Sequence, residues 1–162
     1  MQPDMPIPKL GKLAPDFDLE TDAEERLTLK SLRGQTVVLY FYPKDDTTGC
    51  TQEACELRDL FPRFTKGKAV VLGISPDSAR KHRNFKKKYD LPFTLLVDEG
   101  HAVAEAWGLW VEKLFWGRRY WGVGRTTFII GPDGRIARIF EQVNPAGHAG
   151  DVAKALAELA RR

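Results

Sequence analysis

Apolar positions along the chain alternate between runs with a period of two and runs spaced by three and four. Residues 17–19 (FDL) and 27–29 (LTL) alternate apolar and polar, and the acidic stretch Thr21–Glu25 between them predicts a hairpin. Ser31–Gly34 reads as a helical turn. Residues 36–42 (TVVLYFY) are almost unbroken in apolar character, as in a strand covered on both faces. Leu57, Leu60, Phe61 and Phe64 predict a helix from about Gly49 to Phe64. Residues 69–74 (AVVLGI) predict a second buried strand, and Ser78 an N-cap for a helix reaching Tyr89. Thr94–Val97 reads as a third strand and His101–Trp107 as a short helix. Thr126–Ile130 and Ile136–Phe140 are strands joined by Gly131-Pro-Asp-Gly134, a strong hairpin signal. Val152, Leu156 and Leu159 give residues 151–160 one apolar helical face. This order predicts an α/β fold, a mixed sheet with helices on both faces and an N-terminal hairpin.

Composition narrows the class. A chain of 162 residues, 43% hydrophobic and 29% charged, is expected to form a single globular domain, with residues 1–13 as a proline-rich surface tail. Its N-terminus has no basic segment leading into an apolar one, and its longest apolar runs are of strand length. The expected location is the cytoplasm, with no membrane partner. In that compartment two cysteines read as chemistry rather than as a staple. His82, His101 and His148 are too scattered for zinc-ligand spacing. Residues 80–88 (RKHRNFKKK) carry six formal positive charges. Phe85 and Tyr89, at i and i+4, make this run the solvated face of a helix rather than a nucleic-acid surface. Trp107, Trp110, Phe115, Trp116, Tyr120 and Trp121 read as an aromatic loop, mostly packed, that can leave an apolar patch beside the site.

The two cysteines, Cys50 and Cys55, lie where a buried strand passes through a loop into the predicted helix. Free N–H groups at a helix N-terminus favour negative charge, so Cys50 stands where a thiolate is stabilised. Pro43 suits the strand exit, Thr47 puts a hydroxyl three residues before Cys50, and Gly49 lets the backbone approach a small ligand. On an ideal helix, residues five apart have Cα atoms about 8.6 Å from each other, beyond the roughly 7 Å limit of an undistorted disulfide. Either Cys50 and Cys55 never bond, or the first turns of the helix unwind when they do.

The string Pro43-x-x-x-Thr47-x-x-Cys50 matches the peroxiredoxin active-site pattern. Residues 41–59 (FYPKDDTTGCTQEACELRD) resemble the bacterioferritin-comigratory or plant Q-type subfamily. The resemblance continues in order through residues 73–77 (GISPD), 88–98 (KYDLPFTLLVD) and 124–128 (GRTTF), and covers nearly the whole chain from about Pro8. It implies a thioredoxin-like fold and a thiol peroxidase that needs no metal or organic cofactor, acting on hydrogen peroxide and alkyl hydroperoxides. Carried over by position, Cys50 would be the peroxidatic cysteine and Cys55 the resolving one. Thr47 would orient the peroxide, and Pro43 would shield the pocket. Arg125 matches the arginine that holds the thiolate, a task suited to a permanently charged guanidinium. Glu53 stands where related proteins often carry Glu or Gln bonded to that arginine, although a first-turn Glu also complements a helix dipole.

The implied cycle runs from Cys50 sulfenic acid to an intramolecular disulfide with Cys55, recycled by thioredoxin or a similar dithiol. Resolution within one helix needs no partner subunit, so a monomer is expected. Nothing after the last predicted helix resembles the segment that slows resolution in many dimeric relatives; fast resolution and resistance to sulfinic acid formation follow as expectations. Two other readings share the site. A thiol–disulfide oxidoreductase usually carries Cys-x-x-Cys, whereas four residues intervene here. A non-enzymatic peroxide sensor would use the same switch without turnover.

Overall fold

The computed structural model describes residues 6–161. Its strands are β1 (Asp18–Thr21), β2 (Arg26–Thr28), β3 (Thr36–Phe41), β4 (Ala69–Ser75), β5 (Thr94–Val97), β6 (Trp110–Phe115), β7 (Arg118–Val123), β8 (Thr126–Ile130) and β9 (Ile136–Phe140). Its α-helices are α1 (Thr48–Asp59), α2 (Phe61–Lys66), α3 (Ala79–Tyr89), α4 (Ala102–Ala106) and α5 (His148–Ala160). Seven strands form one sheet in the order β2-β1-β5-β4-β3-β8-β9, with β3, β4 and β5 parallel and the other pairs antiparallel.

The unbroken apolar run of β3 follows from its central place. Val38, Tyr40 and Tyr42 enter one core with residues of α1, α2, α3 and α5. Val37, Leu39 and Phe41 enter the opposite core with Ala104 of α4, Trp107 and the N-terminal hairpin. Both faces are therefore buried, as a strand without polar alternation requires. Gly73 of β4 gives the Tyr40 ring its place, since a Cβ there would lie 2.8 Å from Tyr40 Cζ. Ser78 caps α3 as expected, its hydroxyl accepting from the Lys81 N–H at 3.2 Å.

The N-terminal hairpin, strands β3, β4, β5, β8 and β9, and helix α3 lie where the apolar pattern puts them, to within a residue or two. Three elements differ from expectation. The helix expected over Gly49–Phe64 is two helices. Leu60 leaves helical backbone (φ −96°, ψ 2°), and α2 restarts with Pro62 in its first turn, where the missing N–H has no helical partner to lose. Helix α5 begins at His148 rather than Asp151, because Gly147 turns the chain at φ +81°. Residues 110–123, read as an aromatic loop, form a two-stranded ribbon, β6–β7, apart from the main sheet. Of the expected tail, residues 1–5 lie outside the described residues. Gly11 and Lys12 hydrogen-bond Ile136 along the edge of β9.

The basic run on α3 meets acidic partners: Lys86 with Asp22 at 3.2 Å and Lys88 with Asp46 at 2.8 Å. Phe85 is buried and Tyr89 packs edge-on against it.

Candidate active site

Sheet register builds the site. Phe41, the last residue of β3, pairs with Thr126, the first of β8, so Arg125 arrives beside the loop that leaves β3. That loop passes the half-buried Pro43 and enters α1 at Thr47. The first helical bond runs from the Thr51 N–H to the Thr47 carbonyl at 2.8 Å, so the N–H groups of Thr48, Gly49 and Cys50 precede the ladder. Cys50 thus occupies the first turn, fully buried.

Arg125 bridges two residues of α1. Its Nη1 donates to Glu53 Oε1 at 2.8 Å, and its Nη2 donates to Cys50 Sγ at 3.3 Å. Burial opposes the charge on Arg125, but Cys50 and Glu53 outweigh it and hold its pKa above the ordinary value. Gly49 is needed here for space. A Cβ on it would lie 3.2 Å from Arg125 Nη2 and 3.3 Å from Pro145 Cγ.

Glu53 is as buried as Cys50. Burial raises its pKa to about 7, against the opposing pull of Arg125 and with a smaller upward push from Glu56. Its second oxygen, Oε2, has no hydrogen-bond partner among the described residues and lies 3.9 Å from His148 Nε2. His148 itself shares a 2.8 Å hydrogen bond with Thr127 Oγ1, and burial lowers its pKa to about 4, leaving it neutral near pH 7. Tyr40 is buried within charge range of Glu53, Cys50 and Arg125. Burial, with Glu53 behind it, keeps its hydroxyl protonated.

Thr47 spends its hydroxyl proton on the Lys44 carbonyl at 2.9 Å, which leaves its lone pairs as acceptors. Cys55 lies in the same intact helix, half-buried, and both sulfurs are unbonded to each other. The structure therefore brings Cys50, Glu53 and Arg125 into direct contact. Thr47 and Pro43 belong to the loop that leads into α1, and Cys55 lies five residues along the helix.

Two flanking residues were invisible in the sequence pattern. Lys113 of β6 is half-buried beside the site, its pKa lowered by burial and by the like charge of Arg125 while Cys50 opposes the shift. His148 sits at the start of α5. Neither has a spacing relation to Cys50; only the approach of the ribbon and of α5 could have found them.

The structure also gathers Asp45, Asp77 and His82, with ligand-type atoms within 4.8 Å of one another. These atoms are engaged among themselves and their neighbours. His82 Nδ1 meets Asp45 Oδ2 at 2.6 Å, His82 Nε2 meets the Leu96 carbonyl at 2.8 Å, and Asp77 Oδ2 accepts from Ser75 Oγ at 2.6 Å. An imidazole nitrogen facing a carbonyl must carry its proton, so Nε2 offers no lone pair to a metal. The cluster reads as a structural network.

Comparison with known proteins agrees with this geometry. Residues 10–139 match the AhpC/TSA family. A putative peroxiredoxin bcp of Coxiella burnetii is 49% identical over 144 residues, covering 89% of this chain and 95% of that protein. The peroxiredoxin Bcp of Bacillus subtilis is 42% identical, covering 95% and 98%. Among solved structures, a cysteine-to-serine mutant of the PrxQ of Xylella fastidiosa superposes with a TM-score of 0.89 at 34% identity, covering 94% of this chain and 98% of that one. The bacterioferritin comigratory protein of Xanthomonas campestris, studied for alkyl peroxide reduction, superposes at 0.84 with 36% identity, covering 89% and 92%.

Proposed function

Since the chain belongs to the AhpC/TSA family, in its Bcp and peroxiredoxin Q branch, and is a thiol peroxidase, we propose that Cys50 is its peroxidatic nucleophile and Cys55 its resolving thiol. The observation that carries this assignment is the 3.3 Å contact from Arg125 Nη2 to Cys50 Sγ in the first turn of α1. A guanidinium donor and the free helical N–H groups both stabilise negative charge on that sulfur.

The thiolate attacks the terminal oxygen of the peroxide, hydrogen peroxide or an alkyl hydroperoxide. The S–O bond forms as O–O breaks, the sulfur is oxidised to sulfenate while water or an alcohol leaves with the peroxide's proton, and the sulfenate takes one proton from solvent to become sulfenic acid. Thr47, its own proton held by Lys44, accepts a hydrogen bond from the incoming peroxide. Arg125 polarises the departing oxygen, Pro43 screens the approach, and Glu53 orients Arg125. Cys55 then condenses with the sulfenic acid, forming the disulfide and releasing water, once the start of α1 uncoils. Thioredoxin or a comparable dithiol reduces that disulfide by exchange. The protein works in this reading as a cytoplasmic monomer; no described helix is long and apolar enough to cross a membrane.

The test is peroxide consumption by the reduced protein coupled to thioredoxin and its reductase. Cys50→Ser is expected to abolish turnover, and full activity in it ends the assignment. Cys55→Ser is expected to consume one equivalent of peroxide and then stall. A wild type that oxidises once without cycling would be a sensor. Disulfide exchange without peroxide consumption would mark a thiol–disulfide oxidoreductase.

A further inference from the structure

The β6–β7 ribbon ends in a feature that peroxide chemistry does not explain. Leu114, Phe115, Trp116, Tyr120 and Trp121 are 70%, 63%, 88%, 47% and 52% exposed. The turn is Trp116-Gly117, both at positive φ (54° and 75°), a tight reversal that matches the twist of the ribbon. Residues directly opposite in the register share a face. Phe115 and Tyr120 therefore stand on one face, with Leu114 and Trp121 on the other, and Trp116 projects at the end. Two residues of strand beyond the Lys113–Tyr120 pair, and the turn after them, carry this end roughly 7 Å outward.

A folded partner covers one face of a ribbon. This end carries an apolar side chain beside an arginine on each face, Phe115 opposite Arg118 and Leu114 opposite Arg119, and a fluid phase covers both faces at once. Charge narrows the choice further. Between residues 114 and 121 the only charged side chains are Arg118 and Arg119, both exposed. The acid preceding this stretch, Glu112, meets Arg119 at 3.5 Å. A second copy approaching about a two-fold axis would set these arginines against their own counterparts. An aromatic tip, Trp116, with Phe115 and Leu114 level with the two arginines, suits instead the boundary between lipid headgroups and acyl chains.

We propose that the end of the β6–β7 ribbon docks on an anionic phospholipid bilayer. Trp116, Phe115 and Leu114 enter the headgroup layer, and Arg118 and Arg119 meet lipid phosphates. This departs from the expectation of no membrane partner, which rested on spanning segments; a protein that lies on a bilayer needs none. Because Lys113, two residues before this end, lies within charge range of Arg125 and Cys50, such docking would hold the Cys50 site close to the lipid surface.

The full chain is mixed with vesicles of phosphatidylcholine containing about 30 % phosphatidylglycerol, or with phosphatidylcholine alone, and sedimented. Binding is expected to the anionic vesicles, with a blue shift of tryptophan fluorescence. It should weaken by roughly twenty-five-fold in the double variant Arg118→Ser/Arg119→Ser, at about five-fold per arginine. It should be lost in Phe115→Ser/Trp116→Ser. Salt of about 0.5 M should weaken it as well. Circular dichroism and peroxidase activity in solution check that the variants fold. No wild-type binding, or binding that survives Phe115→Ser/Trp116→Ser, overturns the proposal. Ribbon-dependent dimers in sedimentation velocity, without vesicle binding, overturn it in favour of self-association.

Discussion

Glu53 holds one bonded oxygen and one bare oxygen in a dry site, and its proton affinity records the imbalance. Its folded pKa of about 7 exceeds the ordinary 4.5, so folding binds the proton more tightly. The stability contribution is complete below pH 4.5 and falls by roughly 3 kcal/mol as pH rises to 7. His148 has the opposite sign: with a folded pKa of about 4 against 6.5, its contribution is present above pH 6.5 and lost as pH falls toward 4. The two slopes overlap and mask each other in the wild type. Denaturant titrations across this range should show Glu53→Gln gaining roughly 3 kcal/mol relative to wild type between pH 4.5 and 7. A constant difference would mean that Glu53 is ionised throughout. Gly49 permits a different test, of space. In Gly49→Ala the new methyl meets Arg125 Nη2 at 3.2 Å. Displacing that donor should lower kcat/KM by about ten-fold to a hundred-fold, the range of a misplaced positioning group, with little change in melting temperature. Wild-type kinetics in Gly49→Ala would show that Arg125 needs no such close approach.

Among the elements, α1 is the one the proposed cycle asks to change. It is short, its register ends at Leu60, and α2 restarts independently behind Pro62. Uncoiling residues 48–55 therefore need not disturb α2. Arg125 must release Cys50 and Glu53, while Glu56 Oε1, accepting the Gly147 N–H at 2.9 Å, ties the rest of α1 to the loop before α5. Hydrogen exchange on the oxidised protein should show protection lost at Thr51–Cys55 and kept in α2 and α5. Full protection of α1 with the disulfide formed would refute the uncoiling step. The break at Leu60 could not be read from apolar spacing, because Leu57, Phe61 and Phe64 continue one stripe across it. The ribbon β6–β7 was hidden for the opposite reason. Apolar residues on both its faces erase the alternation that marks a half-buried strand.

Across the whole molecule, the loop carrying Thr47 is fixed from several directions. Tyr42 donates to Asp45 Oδ1 at 2.6 Å, Asp77 Oδ2 accepts the Asp45 N–H at 2.8 Å, and His82 of α3 closes on Asp45 Oδ2. Burial opposes the charge on His82, yet the hydrogen bond and charge of Asp45 outweigh it and raise its pKa. Breaking a buried pair from one side leaves the other charge unmatched, at a cost of about 3–5 kcal/mol. His82→Leu should therefore lower the melting temperature by roughly 10 °C for a chain of this size. It should also reduce peroxidase activity at temperatures where the protein remains folded, since Thr47 loses its frame. A variant that melts with the wild type would show that the network contributes no net stability.

The sequence by itself determined the buried strands, the capped helix α3 and the hairpin at Gly131–Gly134, because local periodicity and turn chemistry dictate each within a few residues. It also held the Pro43, Thr47 and Cys50 spacing, one contiguous segment whose order is its geometry. Arg125 was legible only through family likeness, and Lys113 and His148 not at all. Their nearness to Cys50 is a product of strand register, ribbon placement and the packing of α5. Only the folded chain brings such distant positions together, and only burial there raises the proton affinity of Glu53 and lowers that of His148.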